Sequence, residues 1–500
     1  MKIFTAEQIK RWDKYTIENE PVSSINLMER AATACFDWMI KNISAQKEIK
    51  IFCGKGNNGG DGLAIARMLV EQNYQVQIYI LQSENAGTPD FQANLTKLQT
   101  TTKAIHFITT KESFASIKKD QVIIDALFGT GLNKPPEGVT AALIDHLNNS
   151  GTQIISIDIP SGMFADRSSK NNAVVKANFT LTFQQYKLAF LMAENENYFG
   201  QIILLNIHLH PNFYETETAA LELTDEEIIK PIYKPRDQFA HKGNFGHACM
   251  IAGSKGMMGA AVLSVKACLR SGAGKVTCYV PAIGYQILQI TAPEAMTKIS
   301  GQDFITETDD LKNFSAIGIG PGLGLHESHN TLLQNIFTEF NKPSVIDADA
   351  INIISKNKNL LKSIPAGSIL TPHPLEFERL FGKTANDFER MTLAIEMSHL
   401  YKIYIVLKGH HTLIVAPNKK VYFNSTGNAG MATGGSGDVL TGVITGLLAQ
   451  KYSSKDACIL GVYLHGLAGD IAAKKLSQEA MLAGDIIENL GEAFLKINCL

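Results

Sequence analysis

Short runs of apolar and β-branched residues alternate with amphipathic stretches along most of this 500-residue chain, starting at about residue 49. The first four runs cover residues 49–53, 76–81, 122–126 and 154–159. Runs of this length and composition are typical of buried parallel strands, and the stretches between them have the apolar spacing of helices. Strand and helix in regular alternation predict a doubly wound parallel sheet with helices on both faces.

The alternation lapses once, between about residues 211 and 243. This stretch holds three prolines and several acidic residues, and we interpret it as a connection with one short helix capped by Thr224. Two helices are predicted before the first strand, at 5–19 and 24–41, and a long one near the end, at 438–450. Strands return after the gap, at 247–252, 274–280, 316–319, 343–346, 368–370 and 403–407. We therefore predict two α/β domains, residues 1–220 and residues 221–500.

Charge and cysteine content narrow the classes of partner. Lysine and arginine number 46 against 48 aspartates and glutamates, so we expect neither nucleic acid nor a membrane surface as the main partner. The seven cysteines lack metal-ligand spacing, which favours buried free thiols and a reducing compartment. The N-terminal residues lack a secretion-signal pattern, and no uncharged apolar stretch approaches the ~20 residues of a spanning helix. We expect a cytoplasmic location.

A glycine-rich loop, CGKGNNGGDG at residues 53–62, follows the first predicted strand and leads into a helix. Glycines let the backbone approach a ligand closely, and the first turn of a helix offers unpaired N–H groups to an anion. The glycine spacing alone is a weak signal, because a glycine-rich turn can also lack a ligand. Asp61 adds a carboxylate where a plain phosphate loop would avoid one. The combination indicates chemistry on the ligand, or a bound cation.

Two more polar loops follow strands in this half, DALFGTG at residues 125–131 and DIPSG at residues 158–162. A single aspartate at a strand end is commonly a turn or helix cap. The carboxyl ends of parallel strands line the ligand crevice of an open sheet. Three such loops therefore favour one shared site over three separate caps.

The motifs GNNGGDG, DALFGTG and DIPSG resemble those of the NAD(P)H-hydrate epimerase family, whose domain is Rossmann-like. That family interconverts the R and S epimers of NAD(P)HX, the hydrated and redox-inactive form of the reduced nicotinamide cofactor. The resemblance implies a substrate site formed by Asn57, Asn58, Gly59, Gly60, Asp61, Gly129, Thr130, Gly131, Leu132, Asn133, Lys134, Pro135 and Asp158. It also implies a potassium ion near Asn58, Asp125 and Ser161, since oxygen ligands suit a hard cation. We predict Asp125 as the acid/base residue, with a role as ion ligand as the alternative.

The strongest signal in the chain is GMATGGSGDVL at residues 430–440. The loop leads directly into a helix, whose first N–H groups can hold the oxygens of a phosphoryl group. Asp438 in the first turn can take a proton from a substrate hydroxyl. The alternative is a flexible glycine loop with Asp438 as N-cap, which the surrounding motifs disfavour.

Other polar loops follow strands in this second half. The loop KGHHT at 408–412 offers a charge and a hydroxyl group to nucleotide phosphates or ribose. In TPHPLE at 371–376, the two prolines favour a site for His373 over a role as a core histidine. Asp347 and Asp349 either order Mg²⁺ through water or cap the next helix.

These motifs, with GPGLG at 320–324, resemble the ribokinase-like fold and, within it, the ADP- or ATP-dependent NAD(P)HX dehydratase family, over about residues 241–500. The resemblance implies that the hydrate is faced by Ala260, Gly322, Gly324, His373 and Asp438. It implies that the nucleotide is faced by Lys408, Gly409, His410, His411, Thr412, Gly434, Gly435, Ser436 and Gly437. Ser436 stands where the family commonly has threonine, and it keeps the hydroxyl group. Leu375 stands where the family often has glycine, which alters the loop that carries His373.

Both halves together predict an α/β enzyme that epimerises R- and S-NAD(P)HX and dehydrates the S form to NAD(P)H. The resemblance implies ADP as co-substrate, converted to AMP and phosphate, with Mg²⁺ and K⁺ as cofactors and a homo-oligomeric assembly. One alternative is a ribokinase-like vitamin or sugar kinase with a fused nucleotide-binding domain. Another is an N-terminal domain that binds a ligand without catalysing a reaction.

Overall fold

The computed structural model describes residues 1–84 and 86–499. The chain divides into an N-terminal unit, Lys2–Ala219, and a C-terminal unit that begins at Ala220 and holds most of the remaining residues. This division lies beside the boundary predicted near residue 220. Each unit is built on its own largely parallel sheet with helices around it, so the predicted α/β fold class is confirmed.

The N-terminal sheet has seven parallel strands in the order β3-β2-β1-β4-β5-β6-β7. These strands are β1 Ile49–Cys53, β2 Val76–Leu81, β3 Ile105–Ile108, β4 Val122–Ala126, β5 Gln153–Ile157, β6 Phe179–Phe183 and β7 Gln201–Leu205. The order reverses between β1 and β4, and a crevice for a ligand opens at such a point, above the carboxyl ends of the strands. The loops 53–62 and 125–131 both leave the sheet there.

The helices among the described residues of this unit are Ala6–Asn19, Ser24–Asn42, Asn57–Glu71, Pro89–Thr101, Gly138–Asn148, Glu196–Phe199 and Pro211–Thr216. Thr5 caps the first of them by accepting a hydrogen bond from the amide of Gln8. The helix Asn57–Glu71 includes residues 57–62 of the glycine-rich loop in its first turns, and Gly56 is its N-cap. Gly59 permits this, because a Cβ atom there would lie 1.8 Å from the carbonyl oxygen of Gly54.

The C-terminal unit contributes ten strands to its sheet, in the order β8-β17-β16-β15-β14-β13-β12-β9-β10-β11. They are β8 Leu221–Leu223, β9 His247–Ile251, β10 Lys275–Val280, β11 Met296–Ile299, β12 Ala316–Ile319, β13 Ser344–Ile346, β14 Ile369–Leu370, β15 Tyr404–Leu407, β16 Leu413–Val415 and β17 Val421–Phe423. Neighbouring strands are parallel except around β16, which is antiparallel to both of its neighbours.

The helices from residue 226 onward are Glu226–Ile229, Met258–Arg270, Tyr285–Thr291, His329–Glu339, Ala348–Lys356, Pro374–Phe381, Asp387–Tyr401, Ser436–Ala449, Ser454–Leu476 and Ala483–Asn498. The helix Ser436–Ala449 is buried from Val439 to its end and packs against Met258–Arg270. Glycines allow this close approach: a Cβ atom on Gly442 would lie 2.2 Å from the carbonyl oxygen of Ser264. Packing of this kind holds the first turn of Ser436–Ala449 at the carboxyl edge of the sheet.

The stretch predicted as a connection is more ordered than its composition indicates. It contains the strand Leu221–Leu223, which pairs with β17, and the short helix Glu226–Ile229. The prediction that Thr224 caps this helix was wrong: Asp225 is the cap, and its side chain accepts a hydrogen bond from the amide of Ile228. The Thr224 hydroxyl donates instead to the carbonyl oxygen of Phe423.

Two further expectations concern the cysteines and the long apolar segments of the chain. All seven cysteines are unpaired and six are buried, with Cys499 exposed. One helix, Ser454–Leu476, is long and apolar enough to cross a membrane, but 78% of its apolar window is buried inside the C-terminal unit. We therefore interpret it as a core helix.

Candidate active sites

A cavity of about 630 Å³ opens in the N-terminal unit at the point where the strand order reverses. Nine of the predicted substrate residues line it: Asn57, Asn58, Asp61, Gly129, Thr130, Gly131, Leu132, Asn133 and Asp158. The other four do not. Gly59 and Gly60 pack against Gly54 and Met28, and Lys134 and Pro135 are exposed further along the loop. The convergence of all three motifs on one cavity follows from the parallel sheet.

Asp125 lies beneath the cavity, fully buried and outside its lining. Its Oδ1 accepts hydrogen bonds from the hydroxyl of Ser161 at 2.5 Å and the amide of Leu127 at 3.3 Å. Its Oδ2 accepts from the amide of Ser161 at 2.9 Å and the hydroxyl of Ser156 at 2.7 Å. Burial raises the pKa of Asp125, and the bonds from Ser161 oppose that rise. With both oxygens occupied by the chain, this carboxylate joins two loops and has no free direction toward a substrate carbon.

Asn58 presents an unsatisfied amide to the same region. Its side chain is buried, and neither Oδ1 nor Nδ2 has a hydrogen-bond partner in the described chain. It lies beside the second loop, since a Cβ atom on Gly129 would be 3.5 Å from Oδ1 of Asn58. A buried amide without a partner costs about 1–3 kcal/mol, so this group is arranged for a ligand that the cavity receives.

Asp158 is held by a buried lysine. It follows β5 with a φ of 66°, a left-handed backbone that aspartate adopts more readily than most residues. Its Oδ1 lies 2.6 Å from Nζ of Lys187, whose side chain is only 1% exposed. The Lys187 ammonium also donates to the hydroxyl of Thr182 at 2.8 Å and the carbonyl of Phe183 at 2.9 Å. The ion pair is therefore a fixed part of the cavity wall.

Two more carboxylates face this pair from other elements. Burial raises the pKa of Asp13 to about 7, with repulsion from Asp158 adding to the shift and Lys187 opposing it. Burial, then repulsion from Asp158 and Asp13, raises the pKa of Asp61 well above its usual range. Asp13, Asp61 and Asp158 thus share one cavity with Lys187, and Asp90 and Lys10 line it as well. Shifted groups such as Asp13 and Asp61 are common at catalytic sites.

The second site is organised by the first turn of the helix Ser436–Ala449. Gly435 precedes it with a φ of 91°, a conformation that favours glycine. Asp438 lies in that turn, and burial raises its pKa to about 7, followed by repulsion from Asp347 and an opposing effect of Lys408. A carboxylate poised near neutral pH can act as a base.

Lys408 and Asp347 form a buried ion pair next to this turn. Nζ of Lys408 lies 2.8 Å from Oδ1 of Asp347, and Oδ2 accepts a hydrogen bond from the Thr441 hydroxyl at 2.7 Å. Although burial alone would lower it, attraction to Asp347 and Glu376 raises the pKa of Lys408. A Cβ atom on Gly437 would lie 3.2 Å from Nζ of Lys408. Because glycine has no side chain, the Lys408 ammonium group has space at this position.

The remaining predicted hydrate residues occupy two loops. Gly322 packs against Ala260, whose Cβ lies 3.0 Å from the position of an added Cβ. Gly324, with a φ of 85°, donates its amide to Oδ2 of Asp349 at 2.8 Å. His373 caps the helix Pro374–Phe381 through Nδ1, which leaves Nε2 facing Glu376 at 3.4 Å.

The predicted nucleotide loop is a compact turn. The hydroxyl of Thr412 donates to the carbonyl oxygen of Gly409 at 3.0 Å, and Gly409 and His410 are exposed. His411 approaches the carbonyl oxygen of Asn424 with Nδ1 at 2.9 Å. The described residues contain no cluster of three or more His, Cys, Asp or Glu side chains suited to hold a metal ion by themselves.

Comparisons with known proteins cover both units. A family model described as NAD(P)H-hydrate dehydratase matches residues 248–491, and one described as YjeF-related protein N-terminus matches residues 24–189. The bifunctional NAD(P)H-hydrate repair enzyme Nnr of Moorella thermoacetica is 32% identical over 98% of this chain and 96% of its own length. The enzyme of the same name from Escherichia coli is 32% identical over 98% of this chain and 93% of its own length. The chain belongs to the family of bifunctional NAD(P)H-hydrate repair enzymes.

Solved structures are similar to part of this chain as well. The ADP/ATP-dependent NAD(P)H-hydrate dehydratase from Bacillus subtilis, co-crystallized with ATP/Mg²⁺, is 30% identical and covers 55% of this chain and 98% of its own, with a TM-score of 0.49. Membership of the repair-enzyme family rests on the full-length relatives, and it confirms the predicted class of enzyme.

Sequence motifs missed several groups in these two repair-enzyme sites. Lys187 lies outside every motif, in the loop after β6. Asp13 lies in the helix Ala6–Asn19, before residue 24, where the match to the N-terminal family model begins. His465 is buried beneath the glycine-rich loop, with Nε2 3.0 Å from the carbonyl oxygen of Ser436, and burial lowers its pKa to about 4. An unusual lysine in an otherwise apolar stretch, 187–193, was the one signal that could have found Lys187.

Proposed function

We propose that this chain repairs hydrated nicotinamide cofactors, epimerising R- and S-NAD(P)HX in its N-terminal unit and dehydrating S-NAD(P)HX in its C-terminal unit. This proposal is supported chiefly by the full-length relatives of the repair-enzyme family, which align with both units. Each unit also contains a site with a carboxylate whose pKa is raised to about 7, Asp13 in the first and Asp438 in the second. The two activities complement each other, because a dehydratase that uses one epimer needs the other to be converted. A ribokinase-like vitamin or sugar kinase would have no use for the first site.

In the dehydratase site, Asp438 takes the proton of the ring hydroxyl group as that oxygen bonds to the terminal phosphorus of ADP. The bond from this phosphorus to the bridging oxygen breaks, and AMP leaves. The carbon–oxygen bond of the phosphorylated ring then breaks, phosphate leaves, and loss of a proton from the neighbouring carbon restores NAD(P)H. The amides of Gly434–Gly437 and the ammonium of Lys408 stabilise the charge that develops on the phosphoryl oxygens.

The residues around Asp438 fit Mg²⁺ as a partner of the nucleotide. Burial raises the pKa of Asp438, and repulsion from Asp347, Asp349 and Glu376 adds to that rise, whereas Lys408 opposes it. Asp349 and Asp438 are the residues we expect to hold the ion through water, since Asp347 is engaged by Lys408 and Thr441. When bound, Mg²⁺ supplies positive charge to the phosphate oxygens.

The N-terminal site fits K⁺. Asn58 offers a buried Oδ1 without a partner, Ser161 offers a hydroxyl 3.3 Å from the carbonyl oxygen of Phe128, and Asp125 offers negative charge beneath them. These are the oxygen ligands that a hard cation requires. When bound, the ion supplies positive charge next to Asp125 and orders the two loops. With both oxygens hydrogen-bonded to the chain, Asp125 would serve as a buried counter-charge to this ion, a role that we favour over acid/base catalysis.

The test is absorbance at 340 nm on the purified chain with racemic NADHX, Mg²⁺ and K⁺, with ADP or ATP added. Full recovery of the NADH signal supports both activities, and the nucleotide that gives the faster recovery identifies the phosphoryl donor, which we propose to be ADP. Recovery that stops near half would contradict the epimerase part. No recovery with either nucleotide would favour the small-molecule kinase. The same preparation, by size-exclusion chromatography, tests the proposed homo-oligomer, and the cytoplasmic location stays a prediction.

A further inference from the structure

We propose that Asp13 is the acid/base residue of the epimerase site and that Lys187 positions Asp158 beside it; this inference rests on the proposed epimerase function. It starts from Asp125, whose two oxygens accept four hydrogen bonds from the chain beneath the cavity. Proton transfer at the substrate requires a group with a free direction toward the cavity. That group has to be sought among the carboxylates that line it.

Four aspartates line the cavity, and one of them, Asp90, accepts a hydrogen bond from the hydroxyl of Ser24 at 2.5 Å. Asp158 is fixed in its ion pair with Lys187, whose Nζ lies 2.6 Å from Oδ1. Asp61 is only 8% exposed, in the second turn of the helix Asn57–Glu71, and burial followed by repulsion from Asp158 raises its pKa well above its usual range. Asp13, by contrast, accepts no hydrogen bond within the part of the chain that the structure describes, and it is partly exposed to the cavity.

Asp13 reaches the site from a different element than the three motifs. It belongs to the helix Ala6–Asn19, where its neighbour Trp12 is buried and donates from Nε1 to the carbonyl oxygen of His210. The charged groups that line the cavity around Asp13 are Lys10, Asp61, Asp90, Asp158 and Lys187. Burial, followed by repulsion from Asp158, raises the pKa of Asp13 to about 7, against the opposing effect of Lys187.

One residue of this kind suffices for epimerisation at a carbon that carries a hydroxyl group next to a ring nitrogen. The Asp13 carboxylate takes the hydroxyl proton, the carbon–nitrogen bond opens as a carbonyl group forms, and Asp13 passes the proton to the nitrogen. After the carbonyl turns its other face, nitrogen bonds to carbon again, Asp13 takes the proton back from nitrogen and returns it to oxygen. Atoms and charge balance, and no oxidant or co-reactant is needed. The exchange requires an acid/base with equal access to both forms near neutral pH.

Lys187 acts through its partner and not on the reacting atoms. Its ammonium is saturated by Asp158, Thr182 and Phe183, so it has no proton to spare for the substrate. It holds the Asp158 carboxylate at the cavity wall, where that group raises the proton affinity of Asp13. Removal of the Lys187 charge should therefore shift the pH profile of epimerisation upward, a readout that a purely structural role would not produce.

The test uses the full chain with racemic NADHX, Mg²⁺, K⁺ and the nucleotide, followed at 340 nm. The wild type should recover all NADH, whereas Asp13→Asn should recover the first half at the wild-type rate and the second half at least 100-fold more slowly, close to the uncatalysed rate. The fast first half shows that the variant chain is folded and that its dehydratase works. Asp13→Glu should restore part of the second phase, and the Glu18→Gln change on the same helix, an exposed side chain outside the cavity, should leave both phases unchanged.

The outcomes separate the inference from the proposed function. If the wild type lacks the second phase, the epimerase function itself fails, whatever Asp13 does. If the wild type shows it and Asp13→Asn keeps its rate, the inference about Asp13 is overturned. If a higher K⁺ concentration restores the second phase in Asp13→Asn, the inference is also overturned, because Asp13 would then be an ion ligand. Circular dichroism of the variants and retention of the NADHX-dependent first phase exclude misfolding as the cause.

Discussion

Nζ of Lys408 lies 2.8 Å from Oδ1 of Asp347. The same atom lies against the backbone of Gly437, since a Cβ atom on that glycine would be only 3.2 Å away from it. The lysine loop, the strand end at Asp347 and the glycine-rich turn therefore meet at one ammonium group. Asp347 is 1% exposed and has Lys408 and Thr441 as its partners. This arrangement makes Lys408 both a counter-ion for the protein and a positive charge for a phosphoryl group.

Replacing Lys408 with Met should therefore affect folding and dehydration together. A buried carboxylate left without its partner costs about 3–5 kcal/mol, and we expect the C-terminal unit to lose stability in that range. The dehydratase rate should fall at least 100-fold, because the phosphoryl oxygens also lose a cation. Calorimetry and the 340 nm assay measure the two effects. Lys420→Met, which removes a half-exposed lysine paired with Glu222, is the matched control and should change neither by much. Wild-type stability in Lys408→Met would contradict the argument.

The Asp438→Asn change should separate the two activities. The amide cannot take the proton of the substrate hydroxyl, so dehydration should fall by a factor of about 10²–10⁴. The N-terminal site is untouched, and R- and S-NADHX should still equilibrate at the wild-type rate, as chromatography of the epimers would measure. Equal loss of both activities would refute this division of labour.

The same residue predicts how stability changes with pH. The pKa of Asp438 is about 7 in the folded chain and near 4 when unfolded, so the folded state binds the proton more tightly. The stability that proton binding by Asp438 gives to the folded state is fully present below about pH 4 and is lost as the pH rises toward 7. Asparagine does not titrate, so the Asp438→Asn variant avoids this loss. Its free energy of unfolding relative to the wild type should therefore be about 2 kcal/mol higher at pH 8 than at pH 5. Urea unfolding of the C-terminal unit at both pH values is the measurement, and a constant difference would contradict the sign.

Much of the fold was readable from the sequence because buried parallel strands are short apolar runs with few alternatives. Residues 49–53, 76–81 and 122–126 are strands with the predicted bounds. The strands at Phe179–Phe183 and Gln201–Leu205 were not predicted, since Thr180 and Thr182 break the first run and β7 is partly exposed. An edge strand such as β7 depends on pairing with its neighbour more than on its own composition.

The sites divide in the same way between local and tertiary signals. Motifs located the loops that form both sites, because glycines and aspartates at strand ends have local causes. They could not show that Asp125 would be saturated by Ser156 and Ser161, or that Lys187 would reach Asp158. Those relationships arise only when separate strands pack, and no spacing along the chain encodes them.

The glycine-rich turn before Asp61 gives a prediction that needs no ligand. A Cβ atom on Gly59 would lie 1.8 Å from the carbonyl oxygen of Gly54, whereas one on Gly56 would have open space around it. Gly59→Ala should therefore destabilise the N-terminal unit by about 3 kcal/mol, because backbone has to move. Gly56→Ala should change its stability by less than about 0.5 kcal/mol. Thermal unfolding of both variants is the measurement, and equal effects would contradict the close approach of Gly54 and Gly59.

Asn58 predicts how the chain responds to potassium. Its buried amide has no partner in the described chain, so Asn58→Leu should cost little stability in buffer without K⁺, or even raise it by about 1 kcal/mol. The wild type should gain stability as K⁺ is added, because an ion bound only to the folded state stabilises it by mass action. The variant should lose that gain, since the Oδ1 ligand is gone. Thermal unfolding across a K⁺ titration measures both effects, and Li⁺, too small for the same oxygens, serves as the control salt. A gain from K⁺ that survives in Asn58→Leu would move the ion away from this loop, whereas a gain equally large with Li⁺ would show a salt effect without a site.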